Sequence, residues 1–114
     1  MLRSPLLRAA LLGLLVGPLL GAALAVRADD APQVTIKTFK YGPKDIIVKA
    51  GTTVTWVNKD PEPHTVVDKD GKFRSSALDT DDSFSYTFKD PGTYQIFCSL
   101  HPQMTGTVTV TPKS

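Results

Sequence analysis

The sequence predicts an all-β protein, a Greek-key β-sandwich of about seven to eight strands. Two observations lead to this prediction. After an apolar N-terminal stretch, the 114-residue chain is a series of short runs rich in β-branched and aromatic residues, each bounded by turn signals such as Gly-Pro, Asp-Gly and Pro-Gly. No run keeps the apolar period of a helix. The sequence shows no internal repeat and no sign of a second domain, so we expect a single sandwich domain.

The first half of the domain supplies three predicted strands. Residues 34–37 alternate apolar and polar side chains, residues 46–48 are Ile-Ile-Val, and residues 53–58 are rich in Thr, Val and Trp. The third strand is followed by residues 58–63, which contain two prolines. We therefore expect a loop at this point that presents His64.

The second half continues in the same manner. A strand is expected to resume at residues 65–67 and to turn at Asp70-Gly71. Residues 79–82 could form a single capped helical turn. Residues 107–110, Thr-Val-Thr-Val, are expected to form the last strand of the domain.

Two aromatic runs predict which side chains face the core. Phe84, Tyr86 and Phe88 alternate with small polar residues and should share one face of a strand. Tyr94, Ile96 and Cys98 form a second alternation, so an inward-facing Tyr94 would place the Cys98 thiol inside as well. Large aromatic side chains are also expected in the core, namely those of Trp56, Tyr94 and Phe97.

The N-terminus has the features of an export signal. Arg3 and Arg8 supply positive charge, and residues 9–26 are apolar and rich in Leu, Ala and Gly. Small residues allow cleavage after Ala25 or after Ala28. Since the apolar stretch approaches the ~20 residues that span a bilayer, an uncleaved anchor is the alternative.

Cleavage would change the charge balance of the chain. The whole sequence has a pI near 8.8, but removal of residues 1–28 would leave residues 29–114 with ten Lys and Arg against eleven Asp and Glu, a formal net charge of −1. The basic pI therefore belongs to the export signal and does not predict nucleic-acid binding. Once the signal is cleaved, we expect no stable membrane insertion.

The chemistry-bearing residues are few and lie close together. Cys98, His101 and Met104 follow one another at three-residue intervals, and His64 is the other histidine. Two imidazoles, one thiolate and one thioether are the donor set of a blue-copper electron-transfer site. Pro102 keeps His101 out of helical backbone angles, which favours a short loop that aims several side chains at one point.

Each donor also has an alternative interpretation. Cys98, the only cysteine, could be a buried inert thiol or a nucleophile with His101 or His64 as its base. Alone, His64 would be a hydrogen-bonded structural histidine and Met104 a core gap-filler. The same four donors could also serve copper storage or delivery, or bind zinc.

Three segments resemble the cupredoxins, the family of type 1 blue copper proteins. They are residues 48–58 (Val-Lys-Ala-Gly-Thr-Thr-Val-Thr-Trp-Val-Asn), 63–66 (Pro-His-Thr-Val) and 91–94 (Pro-Gly-Thr-Tyr). The compact Cys-x2-His-x2-Met spacing is most similar to that of the amicyanin group, and the likeness covers nearly all of residues 29–114. The resemblance implies a periplasmic one-electron carrier rather than an enzyme. It also implies one copper ion as cofactor, with equatorial ligands His64, Cys98 and His101 and the axial ligand Met104.

The resemblance also implies how partners are met, and the chain departs from the family at informative positions. His101, between Leu100 and Pro102, would be the partly exposed electron port of a monomer that docks transiently with protein redox partners. Many family members have Asn where this chain has Thr65, whose hydroxyl could instead bond to Ser99. Leu100 and Gln103 replace a Pro and a Phe of amicyanin.

Overall fold

The computed structural model describes residues 31–113, and these form eight strands without a helix. The expected export signal lies outside the described residues. Within residues 31–113, nothing helical is long and apolar enough to span a bilayer. The strands are β1 (Gln33–Lys37), β2 (Lys40–Gly42), β3 (Asp45–Lys49), β4 (Thr52–Asn58), β5 (Val67–Asp68), β6 (Ser83–Phe88), β7 (Gly92–Cys98) and β8 (His101–Thr111).

The strands form two four-stranded sheets, in the orders β2-β1-β4-β6 and β3-β8-β7-β5. Two pairs, β1 with β4 and β3 with β8, are parallel. The remaining pairs are antiparallel. The chain passes from one sheet to the other at every connection from β2 to β7. The predicted antiparallel-rich β-sandwich is therefore confirmed.

The core lies between the two sheets and is built by strand alternation. On β4, Val54, Trp56 and Asn58 are buried while the residues between them are only partly buried. The Trp56 ring lies 6.1 Å from that of Phe84 and 6.2 Å from that of Phe88, measured between centroids. The predicted inward face of residues 84–88 is confirmed. Complete burial of a large apolar side chain contributes roughly 1.5–3 kcal/mol.

Two local predictions were wrong, both near the loop that follows His64. The strand expected at residues 65–67 contributes only Val67 to β5, because Val66 instead exchanges hydrogen bonds with Ser75. Residues 79–82 form a turn rather than a helical turn. Asp81 has a φ of 74°, which takes the backbone out of the right-handed helical region.

A third correction concerns Phe97, which was expected in the core. Its neighbours Ile96 and Cys98 are buried, whereas Phe97 is only partly buried. Because successive side chains of a strand face opposite sides, a strand that buries Cys98 must turn Phe97 toward the outer surface. Trp56 and Tyr94 are buried, as predicted.

The β7–β8 hairpin differs from the expected loop in a way that matters for the site. Only Ser99 and Leu100 lie between the strands, since Cys98 pairs directly with His101. The preceding residue of β7, Phe97, pairs with Thr105, so residues 102–104 are inserted on β8 without partners. An irregularity of this kind re-aims side chains. Because of this insertion, several side chains of β8 can lie at the same end of the sandwich.

Candidate metal centre

Three elements bring potential donor atoms together at one end of the sandwich. His64 comes from the loop after β4, Cys98 ends β7 and His101 begins β8. The Cys98 Sγ lies 3.7 Å from His64 Nδ1 and 3.8 Å from His101 Nδ1. One donor atom from each of the three residues lies within 4.8 Å of the other two. The structure therefore brings together three of the four predicted site residues as a cluster of donor atoms.

The fourth predicted donor, Met104, is buried beside this group. It belongs to the same buried core cluster as Cys98 and lines a cavity of about 210 Å³ with Phe39 and Gln103. Its position follows from the insertion in β8, which turns Met104 inward while Gln103 stays exposed. The thioether is thus shielded from solvent at the end of the sandwich that holds the other donors.

The spacing of the donor atoms fits a single metal ion. Bonds of about 2.0 Å to nitrogen and about 2.3 Å to sulfur, arranged in a trigonal plane, would place nitrogen and sulfur about 3.7 Å apart. The two sulfur-to-nitrogen distances match that separation. Two imidazoles, a thiol and a nearby thioether are also the donors that suit copper in both oxidation states.

The buried carboxylate of Asp60 fixes the orientation of His64. Asp60 Oδ2 lies 2.8 Å from His64 Nε2. An ionised carboxylate can only accept hydrogen bonds, so Nε2 is the donor in this contact. The other ring nitrogen, Nδ1, is therefore the one that faces the Cys98 sulfur. A carboxylate on the far nitrogen is a common support for a histidine that binds a metal.

Asp60 itself is held by the backbone. Burial alone would raise the pKa of this carboxyl, but the N–H groups of Phe39 and Thr38 and the His64 ring together lower it below its ordinary value. Oδ1 accepts the N–H of Thr38 at 2.7 Å, and Oδ2 accepts that of Phe39 at 2.9 Å. The buried charge is therefore fully hydrogen-bonded, as its stability requires.

The environment of Cys98 favours its thiolate. Burial raises its pKa, but the Thr65 N–H, the rings of His101 and His64, and the Leu100 N–H lower it, to about 6 from 9.0. The Thr65 N–H donates to the sulfur at 3.3 Å. The thiolate is the metal-binding form of cysteine. Cys98 is thus largely prepared for metal binding at neutral pH.

A turn between β1 and β2 covers the two imidazoles. Thr38 and Phe39 have φ values of 54° and 58°, the left-handed geometry of a two-residue hairpin turn. The Phe39 ring meets the rings of His64 and His101 edge-on, at centroid distances of 5.1 and 4.8 Å. Phe39 is nevertheless 44% exposed. It lies between the completely buried His64 and solvent.

A comparison with known protein families decides the identity of the fold. The family described as cupredoxin-like domain matches residues 9–110 of the chain. The chain is a cupredoxin. Amicyanin from Paracoccus versutus is 40% identical over 86 residues, which cover 71% of this chain and 65% of that protein. The chain therefore spans slightly less than two thirds of this relative's length.

Two further comparisons agree. Amicyanin from Paracoccus denitrificans is 39% identical over 93 residues, covering 77% of this cupredoxin and 71% of that protein. Among solved structures, a protein described as a novel purple cupredoxin from Nitrosopumilus maritimus superposes with a TM-score of 0.66 at 35% identity. The superposed region covers 70% of this chain and 99% of the purple cupredoxin.

Sequence patterns did not point to two residues of the cupredoxin's centre, Asp60 and Phe39. Asp60 lies in a loop without periodicity, where an acidic residue normally faces solvent. Phe39 lies in a turn that contains neither Gly nor Asn, the residues that usually mark left-handed geometry. An Asp four residues before a predicted histidine ligand was the one available signal, and it is weak.

The burial of Cys98 argues against a nucleophilic role. Its side chain has no exposed surface, and its sulfur faces the two imidazoles rather than a cavity. A surface groove of about 570 Å³ is lined by residues of β3, β7 and β8, among them Phe97, and not by Cys98. A substrate could reach the sulfur only if the residues that bury it moved.

Proposed function

We propose that this cupredoxin is an exported one-electron carrier whose copper ion is held by His64, Cys98 and His101, with Met104 as the axial ligand. The single observation that carries the proposal is the spacing of the Cys98 sulfur from both Nδ1 atoms, 3.7 and 3.8 Å. Bound copper would supply a Cu(I)/Cu(II) couple. The four donors are those that tolerate both oxidation states.

The protein's own hydrogen bonds support a fixed site. Asp60 orients His64, the Thr65 N–H holds the sulfur, and the hairpin turn fixes His101 next to Cys98. Side chains held in this way need little movement when the charge at the centre changes by one. Small rearrangement is what a carrier requires, since it must exchange electrons quickly and repeatedly.

The surface around His101 supports its role as the electron port. His101 is partly buried, while Leu100 is 50% exposed and Phe39 is 44% exposed. An apolar surface beside a partly exposed ligand would allow brief, weak contact with protein redox partners, of the small area usual for such encounters. We propose that the carrier acts as a monomer.

The proposal extends to where the protein acts. Arg3, Arg8 and the apolar residues 9–26 support export to the periplasm, with cleavage after Ala25 or Ala28 leaving residues 29–114 as the mature domain. Mass measurement of periplasmic protein under native and denaturing conditions would give the cleavage site and the metal content. An intact N-terminus in the isolated protein would contradict this part of the proposal.

Addition of Cu(II) to the exported protein tests the proposed centre. We expect one ion per chain and an intense visible thiolate-to-copper absorption, which Cys98→Ser should abolish. Repeated reduction and oxidation without metal loss would distinguish a carrier from a copper storage or delivery protein. Tight zinc binding with no coloured copper form would contradict the proposal. Rapid alkylation of the metal-free thiol together with ester turnover would indicate an enzyme instead.

A further inference from the structure

We propose that Asp60 and Phe39 together form a closure over the metal centre that slows the entry and exit of the ion. Asp60 acts as a positioning residue, because one carboxylate holds both the His64 ring and the turn that carries Phe39. This inference rests on the proposed function, since it assumes that the ion is bound between His64, Cys98 and His101.

The first step is the threefold use of the Asp60 carboxylate. Oδ2 accepts hydrogen bonds from His64 Nε2 at 2.8 Å and from the Phe39 N–H at 2.9 Å, and Oδ1 accepts the Thr38 N–H at 2.7 Å. Asp60 is buried. Any movement of the turn away from the site would leave a buried carboxylate oxygen without a partner, which is costly. The position of the turn and that of the His64 ring are therefore linked.

The second step is the conformation of the turn. Thr38 and Phe39 both have positive φ, which is uncommon for a β-branched or bulky residue. Asn or Gly would adopt this turn more readily. Strained backbone of this kind persists only where its surroundings hold it. The carboxylate of Asp60 supplies that hold through both N–H groups of the turn.

The third step is what the turn places over the site. The Phe39 ring contacts both imidazoles edge-on, with interplanar angles of 87° and 89°. The same ring lines the small cavity beside Met104. Phe39 thus borders three of the four proposed ligands from the solvent side. An ion that leaves on this side must displace the ring, and the hydrogen bonds from the turn to Asp60 resist any displacement of the ring that moves the backbone of the turn.

The experiment measures the rate at which the copper-loaded protein loses its ion to excess EDTA. Phe39→Ala removes the ring, and Phe39→Asn removes the ring while providing a residue that suits the turn. Asp60→Asn keeps the shape of the side chain but has one acceptor oxygen instead of two. Ile47→Ala, which truncates an exposed apolar side chain on β3, is the control.

We expect each Phe39 variant to release copper at least about tenfold faster than the wild type. Asp60→Asn should also release copper about 10- to 100-fold faster, because loss of the partner that orients a metal-binding histidine weakens metal affinity by about that factor. Ile47→Ala should match the wild type. In the double variant of Phe39→Asn and Asp60→Asn, the increase in release rate should be smaller than the product of the two single increases, because both substitutions open the same closure. Wild-type release rates in the folded Phe39→Asn variant would overturn the inference.

A second measurement uses the metal-free protein and does not depend on copper. Amide hydrogen exchange at residue 38 or at residue 39 should be at least about tenfold faster in Asp60→Asn, because the acceptor for one of the two N–H groups is lost. Unchanged protection at both amides would overturn the role of Asp60. The two proposals can fail separately. If the wild type did not bind one copper ion but Asp60→Asn lost amide protection in the turn, the proposed function would fail and the link between Asp60 and the turn would stand.

Discussion

The hydroxyl of Thr65 accepts the backbone N–H of Ser99 at 2.7 Å and lies 2.9 Å from the Ser99 hydroxyl. Thr65 directly follows His64, and Ser99 directly follows Cys98. The pair therefore ties together two donor-bearing segments that are 34 residues apart. The hydroxyl also lies 3.8 Å from the Cys98 sulfur. The chain has Thr where many cupredoxins have Asn, and its shorter side chain still makes the brace.

Removal of the Thr65 hydroxyl should therefore destabilise the metal-free protein. Thr65→Val leaves the Ser99 N–H without its acceptor, at a cost of about 1–3 kcal/mol. For a domain of this size, each 1 kcal/mol lowers the Tm by about 4–8 °C. Thr65→Ser keeps the hydroxyl and should stay close to the wild-type Tm in thermal unfolding followed by circular dichroism. Equal Tm values for the two variants would show that the hydroxyl contributes nothing.

The stability of the metal-free protein should rise between pH 6 and pH 9. The pKa of Cys98 is about 6 in the folded protein and 9.0 ordinarily. Between these values the folded chain holds a thiolate while the unfolded chain holds a thiol, so unfolding takes up a proton. The contribution of Cys98 is fully present above pH 9 and is lost as the pH falls through about 6.

Denaturant titrations at several pH values would measure this slope. The pKa of Asp60 is lowered from 3.8 and those of Tyr41 and Tyr94 are raised from 10.0, so these three groups titrate outside this range. The contribution of Cys98 should be absent from Cys98→Ser. If Cys98→Ser kept the full wild-type dependence of stability on pH, the Cys98 thiolate would not be the source of that dependence.

A negative charge beside His101 should slow electron exchange between two copies of the protein. Leu100 is exposed next to His101, so Leu100→Glu would place like charges face to face when two ports meet. Ile47→Glu is the control. It makes the same charge change at a side chain that is more exposed than Leu100. Ile47 pairs with Thr109, near the end of β8 opposite to His101.

The self-exchange rate, measured by NMR line broadening in mixtures of oxidised and reduced protein, should fall about tenfold in Leu100→Glu at low salt and recover at high salt. Ile47→Glu should have a much smaller effect. Equal slowing by both substitutions would place the port elsewhere or make net charge the cause.

A side chain at position 106 should destabilise the sandwich. A Cβ added to Gly106 would lie 2.6 Å from the backbone oxygen of Lys44, which also accepts the Thr107 N–H at 3.0 Å. Because a backbone carbonyl in this pairing cannot move freely, Gly106→Ala should cost about 1–3 kcal/mol. The neighbouring Thr105→Ala removes atoms from an exposed position and serves as the control. Equal free energies of unfolding for Gly106→Ala and Thr105→Ala, measured by denaturant titration, would contradict the prediction.

Much of the fold could be predicted because strand alternation is a local property. The alternations in residues 84–88 and from Tyr94 to Cys98 each predicted an inward face, and these side chains are buried in the core or packed against it. The prediction was wrong where long-range pairing decides the structure. Residues 65–67 look like a strand, but Val66 bonds to Ser75 across a loop that no local pattern reveals.

The sequence by itself determined the donor set, because a chain with one Cys, two His and one Met besides Met1 offers few other ways to bind a soft metal. Only the tertiary structure decided how these donors are held and covered. Asp60 orients His64, and the turn at Thr38 places Phe39 over both rings. The physical reason is that hydrogen bonds to a buried carboxylate join groups about twenty residues apart. No periodicity along the chain encodes such contacts.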